Sequence, residues 1–164
     1  MWKIITSLLL LCAFSFQAQN TLPLEWSKNH KYINPGGQYT VAEIAFDETS
    51  STGNALPIKI GNFSNTANFN FAEDVENGVF EVAESEFDAY IAKYDEYDTL
   101  LWVKKINGTG TFTMQHIVVV DNFFYVLGTL SGTVDFNPTT AIANKTSAGD
   151  ASLVIAKYDL NGFY

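Results

Sequence analysis

The chain contains no arginine: its nine basic residues are all lysine, set against 18 acidic residues for a formal charge of −9. Nucleic acid calls for a basic face, usually rich in arginine, so that partner is excluded as an expectation. Cysteine occurs once, as Cys12 inside an apolar N-terminal run. No disulfide can therefore staple the rest of the chain, which must be held by its core alone. Leu11 precedes Cys12 where a lipoprotein anchor would need a small residue. The only histidines are His30 and His116, too few for the His/Cys cluster that zinc requires. The Gly-x-Ser-x-Gly turn that carries a nucleophilic serine does not occur. Nor does the ligand spacing of an EF-hand loop. Beyond the N-terminal run no segment is long and apolar enough to cross a membrane as a helix.

What is present begins with a leader pattern. Met1-Trp2-Lys3 gives a short positive start, residues 4–16 are almost wholly apolar, and Gln17-Ala18-Gln19-Asn20 turns polar. That layout is expected of a secretory signal peptide over residues 1–19, with Ala18 a suitable residue for the cleavage site. The chain is thus expected to be exported, to the cell surface or the medium. Ten of the 18 acidic residues fall between Glu73 and Asp98, and a solvated rim that favours solubility explains them more simply than a cation site.

The sequence then repeats itself. Ile58-Lys59-Ile60-Gly61-Asn62-Phe63-Ser64-Asn65-Thr66-Ala67-Asn68-Phe69-Asn70 aligns with Tyr125-Val126-Leu127-Gly128-Thr129-Leu130-Ser131-Gly132-Thr133-Val134-Asp135-Phe136-Asn137 at an offset of 67. Ile91-Ala92-Lys93-Tyr94-Asp95 aligns with Ile155-Ala156-Lys157-Tyr158-Asp159 at an offset of 64. Leu24-Glu25-Trp26-Ser27-Lys28 aligns with Leu100-Leu101-Trp102-Val103-Lys104 at 76. Each Trp block leads through a Gly-containing loop into an apolar run that ends in Asp, residues 41–47 and 117–121. About seven extra residues between Asp47 and Gly61 lengthen the first copy.

β-branched and aromatic runs such as Ile117-Val118-Val119-Val120 read as strands. Asn77-Gly78, Asn107-Gly108 and Asn161-Gly162 read as hairpin turns. Each unit then supplies four antiparallel strands: the run before Asp121 or its counterpart, the run around the glycine, the Ile-Ala-Lys-Tyr-Asp strand and the Trp-x-Lys strand. Leu153-Val154-Ile155-Ala156 is apolar on both faces, as in a sheet sandwiched between two others. Propeller blades stack that way.

These residues resemble the SBBP β-propeller repeat of secreted bacterial proteins. The likeness is carried by Ser131-Gly132-Thr133-Val134-Asp135-Phe136-Asn137-Pro138, then Ile155-Ala156-Lys157-Tyr158-Asp159-Leu160-Asn161-Gly162, and the Trp-x-Lys strand. The earlier copy departs from it with Asn65 for Gly132, Asn68 for Asp135 and Phe71 for Pro138. Ser152 also stands where Asp88 does. The resemblance implies a surface or extracellular location and a scaffold or binding role, with no shared catalytic residue.

The expected fold is therefore all-β: a partial β-propeller of about one and a half to two blades. Residues 1–19 form the leader, 20–38 an N-terminal strand and loop of a ring-closing kind, 39–111 the first unit and 112–164 a truncated second unit. Recurring structural positions are Trp26, Lys28, Gly61, Phe69, Lys93, Tyr94, Asp95, Trp102, Lys104, Asp121, Gly128, Gly132, Asp135, Phe136, Lys157, Tyr158 and Asp159. A fragment of this kind exposes a blade face and invites self-association.

No cofactor is expected. Calcium is the one conceivable metal, on Asp135 and Asn137, against an Asx turn at a strand end. The expected function is structural, or the binding of a protein or glycan, with no chemistry of its own. The alternative is a fragment of an extracellular polysaccharide hydrolase or lyase using carboxylates such as Glu84, Glu86 and Asp88.

Overall fold

The computed structural model describes residues 37–51, 53–70 and 78–164. Trp26, Lys28, the leader and the Asn77 turn signal lie outside the described residues. Among those described there is no helix, and eleven strands follow one another. They are β1 (Gln38–Asp47), β2 (Leu56–Ser64), β3 (Thr66–Asn68), β4 (Phe80–Val82), β5 (Asp88–Tyr94), β6 (Leu100–Gly108), β7 (Thr111–Val120), β8 (Phe123–Ser131), β9 (Thr133–Asp135), β10 (Asn144–Thr146) and β11 (Ser152–Asp159). Every pairing is antiparallel.

The repeat seen in the sequence is a repeat of register. β2 sets Ile58 opposite Lys93 and Gly61 opposite Tyr90 on β5. β8 sets Tyr125 opposite Lys157 and Gly128 opposite Val154 on β11. On the other side, β1 pairs with β2 and β7 with β8, and both first strands carry a bulge at the same place, between Val41 and Glu43 and between Met114 and His116. A bulge leaves one residue unpaired and bends the strand. Its recurrence opposite Gly61 and Gly128 is therefore a shared design. A Cβ on Gly61 would strike the Thr40 carbonyl, and one on Gly128 the Thr113 carbonyl and the Phe112 ring. Glycine is required there by close approach.

The sequence reading missed a short hairpin inside each unit. β3 pairs with β4 and β9 with β10, with Asn68 opposite Phe80 and Asp135 opposite Asn144. Two further expectations are corrected. Asn107-Gly108 is no hairpin turn but the end of β6, which pairs with β9 through Asn107–Asp135 and Gly108–Val134. A Cβ on Gly108 would press on the Thr133–Val134 backbone, so this glycine serves strand approach instead of a turn. The first unit's sheet consequently runs on into the second unit's hairpin, in the order β1-β2-β5-β6-β9-β10. Second, Asp121 is not the counterpart of Asp47. Asp47 is the last residue of β1, opposite Leu56, whereas the residue opposite Phe123 is Val120. Asp121 lies one further on, at φ 53° in the turn. The extra length of the first copy lies in the β1–β2 connection, residues 48–55, where β7 and β8 are joined by Asp121 and Asn122 alone.

The main core lies between the units. Ile58, Ile60, Ala89, Ile91 and Ile106 of the first pack against Phe112, Phe124, Leu130, Phe136 and Tyr158 of the second. A second cluster, Phe63, Phe69, Tyr90, Ala92 and Tyr94, buries the opposite face of β2 and β5. Both faces of β5 are covered along its whole length. That is the environment of a strand sandwiched between two layers. On β11 the same pattern is covered on one face only: Leu153 is 70% and Ile155 69% exposed.

Candidate functional site

The recurring polar residues form one framework, built twice. Tyr94 donates its hydroxyl to the Phe69 carbonyl at 3.0 Å, and Tyr158 to the Phe136 carbonyl at 2.9 Å. Burial pushes both phenols well above the ordinary tyrosine range. Each hydroxyl, donating to its carbonyl, ties the β5 or β11 strand to the loop after β3 or β9.

Asp95 Oδ1 accepts the amides of Tyr97 and Thr99 at 2.9 and 2.8 Å. Asp159 Oδ1 accepts those of Asn161 and Phe163 at 2.9 and 3.0 Å. Each closes a turn whose left-handed residue is Asp98 (φ 66°) or Gly162 (φ 79°). A carboxylate placed this way replaces backbone partners that a tight turn cannot provide.

The departures between the copies are equivalent in structure. Asn65 (φ 51°) and Gly132 (φ 73°) both take the left-handed conformation, which asparagine and glycine tolerate best. Asn68 Oδ1 accepts the amides of Asn70 and Val79, both at 3.0 Å. Asp135 Oδ1 accepts those of Asn137 and Ala143 at 3.0 and 2.8 Å. Asn137 in turn accepts the amide and hydroxyl of Thr139. The oxygens considered for calcium are thus Asx-turn acceptors, and an uncharged amide does the same work in the first unit. Asp88 accepts the Glu84 amide at 2.8 Å where Ser152 accepts that of Ala148 at 2.9 Å.

Of the carboxylates considered for glycoside chemistry, Asp88 also accepts the Ser85 hydroxyl at 2.7 Å. Glu84 pairs with Lys105 at 2.7 Å, and that ammonium holds its carboxyl below the usual range. His116 is exposed, 3.5 Å from Glu43. Among the described residues no group of three or more His, Cys, Asp or Glu is placed to hold a metal.

The two copies differ most at their lysines. Lys93 is buried, paired with Asp47 at 2.7 Å, and donates to the Leu160 carbonyl of the second unit at 3.2 Å. Burial tends to raise the Asp47 pKa, but Lys93 and the Thr49 hydroxyl and amide outweigh it and hold the carboxyl below its ordinary value. Lys157 is exposed, its ammonium 3.7 Å from the Phe123 ring centre. Trp102 stacks on Phe124 across the unit boundary, and Lys104 lies over Phe163.

Asn62, which the repeat alignment passed over, also bridges the units. Its amide donates to the Phe112 carbonyl at 2.8 Å and accepts the Met114 amide at 3.1 Å, beside the β7 bulge. The available signal was the one side-chain amide in the Ile58–Phe63 stretch.

Two surfaces stand out among the described residues. One is the outward face of the second unit, where Val118, Val120, Phe123, Leu153 and Ile155 are all exposed. The other is a polar cleft of about 350 Å³ at the β6–β9 junction, lined by Glu81, Glu84, Lys104, Lys105, Asp135 and Asn137 among others. The cleft offers charges of both signs and amides, as a hydroxyl-rich ligand would need.

Removing either tyrosine hydroxyl should leave a buried carbonyl without its partner. Tyr94→Phe and Tyr158→Phe are each expected to cost about 1–1.5 kcal/mol, read as similar shifts in the urea midpoint.

These features define an all-β chain of two antiparallel units that share register, bulge position and turn chemistry. No protein-family model, curated protein or solved structure matches it.

Proposed function

We propose that this chain is an exported repeat protein of β-propeller blades, similar to the SBBP type, acting as a structural or interaction scaffold and not as an enzyme. The observation that carries this reading is that the recurring polar residues are spent on the fold. Asp88, Asp95, Asp135 and Asp159 each accept backbone amides, Lys93 neutralises Asp47, and the two tyrosines tie strands to loops. Carboxylates so engaged hold turns and are thereby committed to the backbone instead of being free for acid–base work. The blade reading rests on the order β1-β2-β5-β6 and on the face-to-face packing of the second unit against the first. A ring needs about four to eight such blades, so further units belong beside the open face. Export rests on the leader pattern of residues 1–19. The ligand class is a protein or a glycan, the polar cleft being the place for the second.

The test joins localisation to activity. Protein recovered outside the cytoplasm should have lost roughly the first 17 to 20 residues by intact mass, as signal cleavage requires. It should also leave a panel of polysaccharides and esters uncleaved. Retention of the full-length chain in the cytoplasm would defeat the export reading. Hydrolysis abolished by a single Asp, Glu or His substitution would defeat the scaffold reading.

A further inference from the structure

The outward face of the second unit is apolar across three strands. Val118 and Val120 come from β7, Phe123 from β8, and Leu153 and Ile155 from β11. Register puts them on one side of the sheet, with Tyr125 in the middle, opposite Val118 on one flank and Lys157 on the other. All five apolar side chains are exposed. Their exposed parts amount to roughly 500 Å², near the top of the range for the largest apolar patch of a monomer.

One cation stands in that face. The Lys157 ammonium lies 3.7 Å from the Phe123 ring centre. Its counterpart Lys93 is buried under the second unit with Asp47, the β1 residue opposite Leu56. In the second unit the same place, opposite Phe123, holds Val120. A surface covering this face as the second unit covers the first would bury Lys157 with valine where Lys93 has its carboxylate. A buried cation without a partner is strongly destabilising, so the occupant of this face must bring the carboxylate with it. The formal charge of −9 disfavours an anionic membrane as that occupant.

We propose that the outward face docks a second copy of this chain, face to face about a twofold axis along β8, with Lys157 of each copy meeting Asp121 of the other. The proposal rests on the scaffold reading and names a second copy as the source of the units beside the open face. β8 lies between β7 and β11, so a twofold along it lays β11 of one copy over β7 of the other. Asp121 follows β7 directly and is exposed in the β7–β8 turn. The Lys157 ammonium leans to Phe123, which is level with Val120, the residue before Asp121. Each lysine therefore reaches an aspartate of the other copy, and the contact occurs twice, as a self-complementary interface requires. Phe123 and Tyr125 lie near the axis, at the centre of the contact, where aromatic side chains contribute most. Two such faces bury about 1,000 Å², the size at which specific interfaces begin.

Sedimentation equilibrium of the exported chain, lacking residues 1–19, tests this. A reversible dimer, half-associated at about 10–100 μM, suits an interface of this size. Leu153→Asp and Ile155→Asp are each expected to weaken it about 30-fold or more, with urea midpoints unchanged well below that concentration. Ile142→Asp, exposed in the β9–β10 connection, should leave the dimer intact. Lys157→Glu should weaken it about tenfold or more by setting like charges together. A dimer indifferent to Leu153 and Ile155 would place the contact elsewhere and overturn the proposal. One that ignores Lys157→Glu would overturn the twofold pairing, as would growth beyond the dimer, the mark of head-to-tail stacking. A chain that stays monomeric at every concentration would give the face to another segment or another protein and defeat the proposal. Phe124→Ala then separates that failure from the repeat reading. If this variant lowers the urea midpoint sharply in a monomeric chain, the repeat reading stands alone. If it is silent, the shared core of the units fails and the proposal falls with it.

Discussion

Lys93→Ala is expected to destabilise the protein by about 3–5 kcal/mol, because it leaves the buried Asp47 carboxylate without its cation. The same substitution at Lys157, in the equivalent position of the second unit, should change stability by no more than about 0.5 kcal/mol, since that side chain is exposed. Urea unfolding of the two variants measures the contrast directly. A near-equal effect would mean that the two units have the same surroundings, contrary to the burial described above.

The pair also sets an acid limit. The Asp47 carboxyl is held below its ordinary value in the folded state. Its contribution is therefore complete above the unfolded-state pKa of about 3.9 and is lost as the pH falls through the lower folded value. The wild-type chain should lose this increment in that acid window. Lys93→Ala should not, because it no longer holds Asp47 in its charged form.

Phe124→Ala is expected to cost about 3–5 kcal/mol. Its ring has no exposed surface. It lies between Trp102 of the first unit, with centroids 6.5 Å apart, and Tyr158 of the second, at 5.3 Å. Truncation opens a void in the layer that joins the units, where the neighbours are rigid rings that relax poorly. The adjacent Phe123, 39% exposed, serves as control, and Phe123→Ala should cost less than about 1 kcal/mol. Calorimetric melting should rank them in that order. A mild Phe124→Ala would mean that the two units do not share this core.

Much of this was legible because the repeat is written in residues that backbone geometry demands. Gly61 and Gly128 are fixed by close approach beside a bulge, Asp95 and Asp159 by turn amides, and Tyr94 and Tyr158 by a carbonyl each must reach. Such needs survive the drift of surrounding side chains, so two offsets in the sequence located them. The β3–β4 and β9–β10 hairpins escaped because strands of three residues are too short for an alternation to be told from chance.

Asn107-Gly108 misled because the same dipeptide serves a turn or a close strand contact. Asp121 misled by standing one residue from the position of Asp47, a shift that only the pairing of Val120 with Phe123 reveals. The contrast between Lys93 and Lys157 was invisible for a different reason. Both occur as Ile-Ala-Lys-Tyr-Asp, and what separates them is an aspartate at the end of β1 and a carbonyl from the neighbouring unit.

The central claim is that one unit occurs twice and that its copies stack face to face. The most direct measurement is a crystal structure of the chain lacking residues 1–19, with β1, β2 and β5 superposed on β7, β8 and β11. The account predicts that one rotation brings Gly61 onto Gly128, Lys93 onto Lys157, Tyr94 onto Tyr158 and the β1 bulge onto the β7 bulge, with Phe124 packed on Trp102. Finding Lys93 and Lys157 on unrelated strands, or the two bulges opposite different residues, would contradict it.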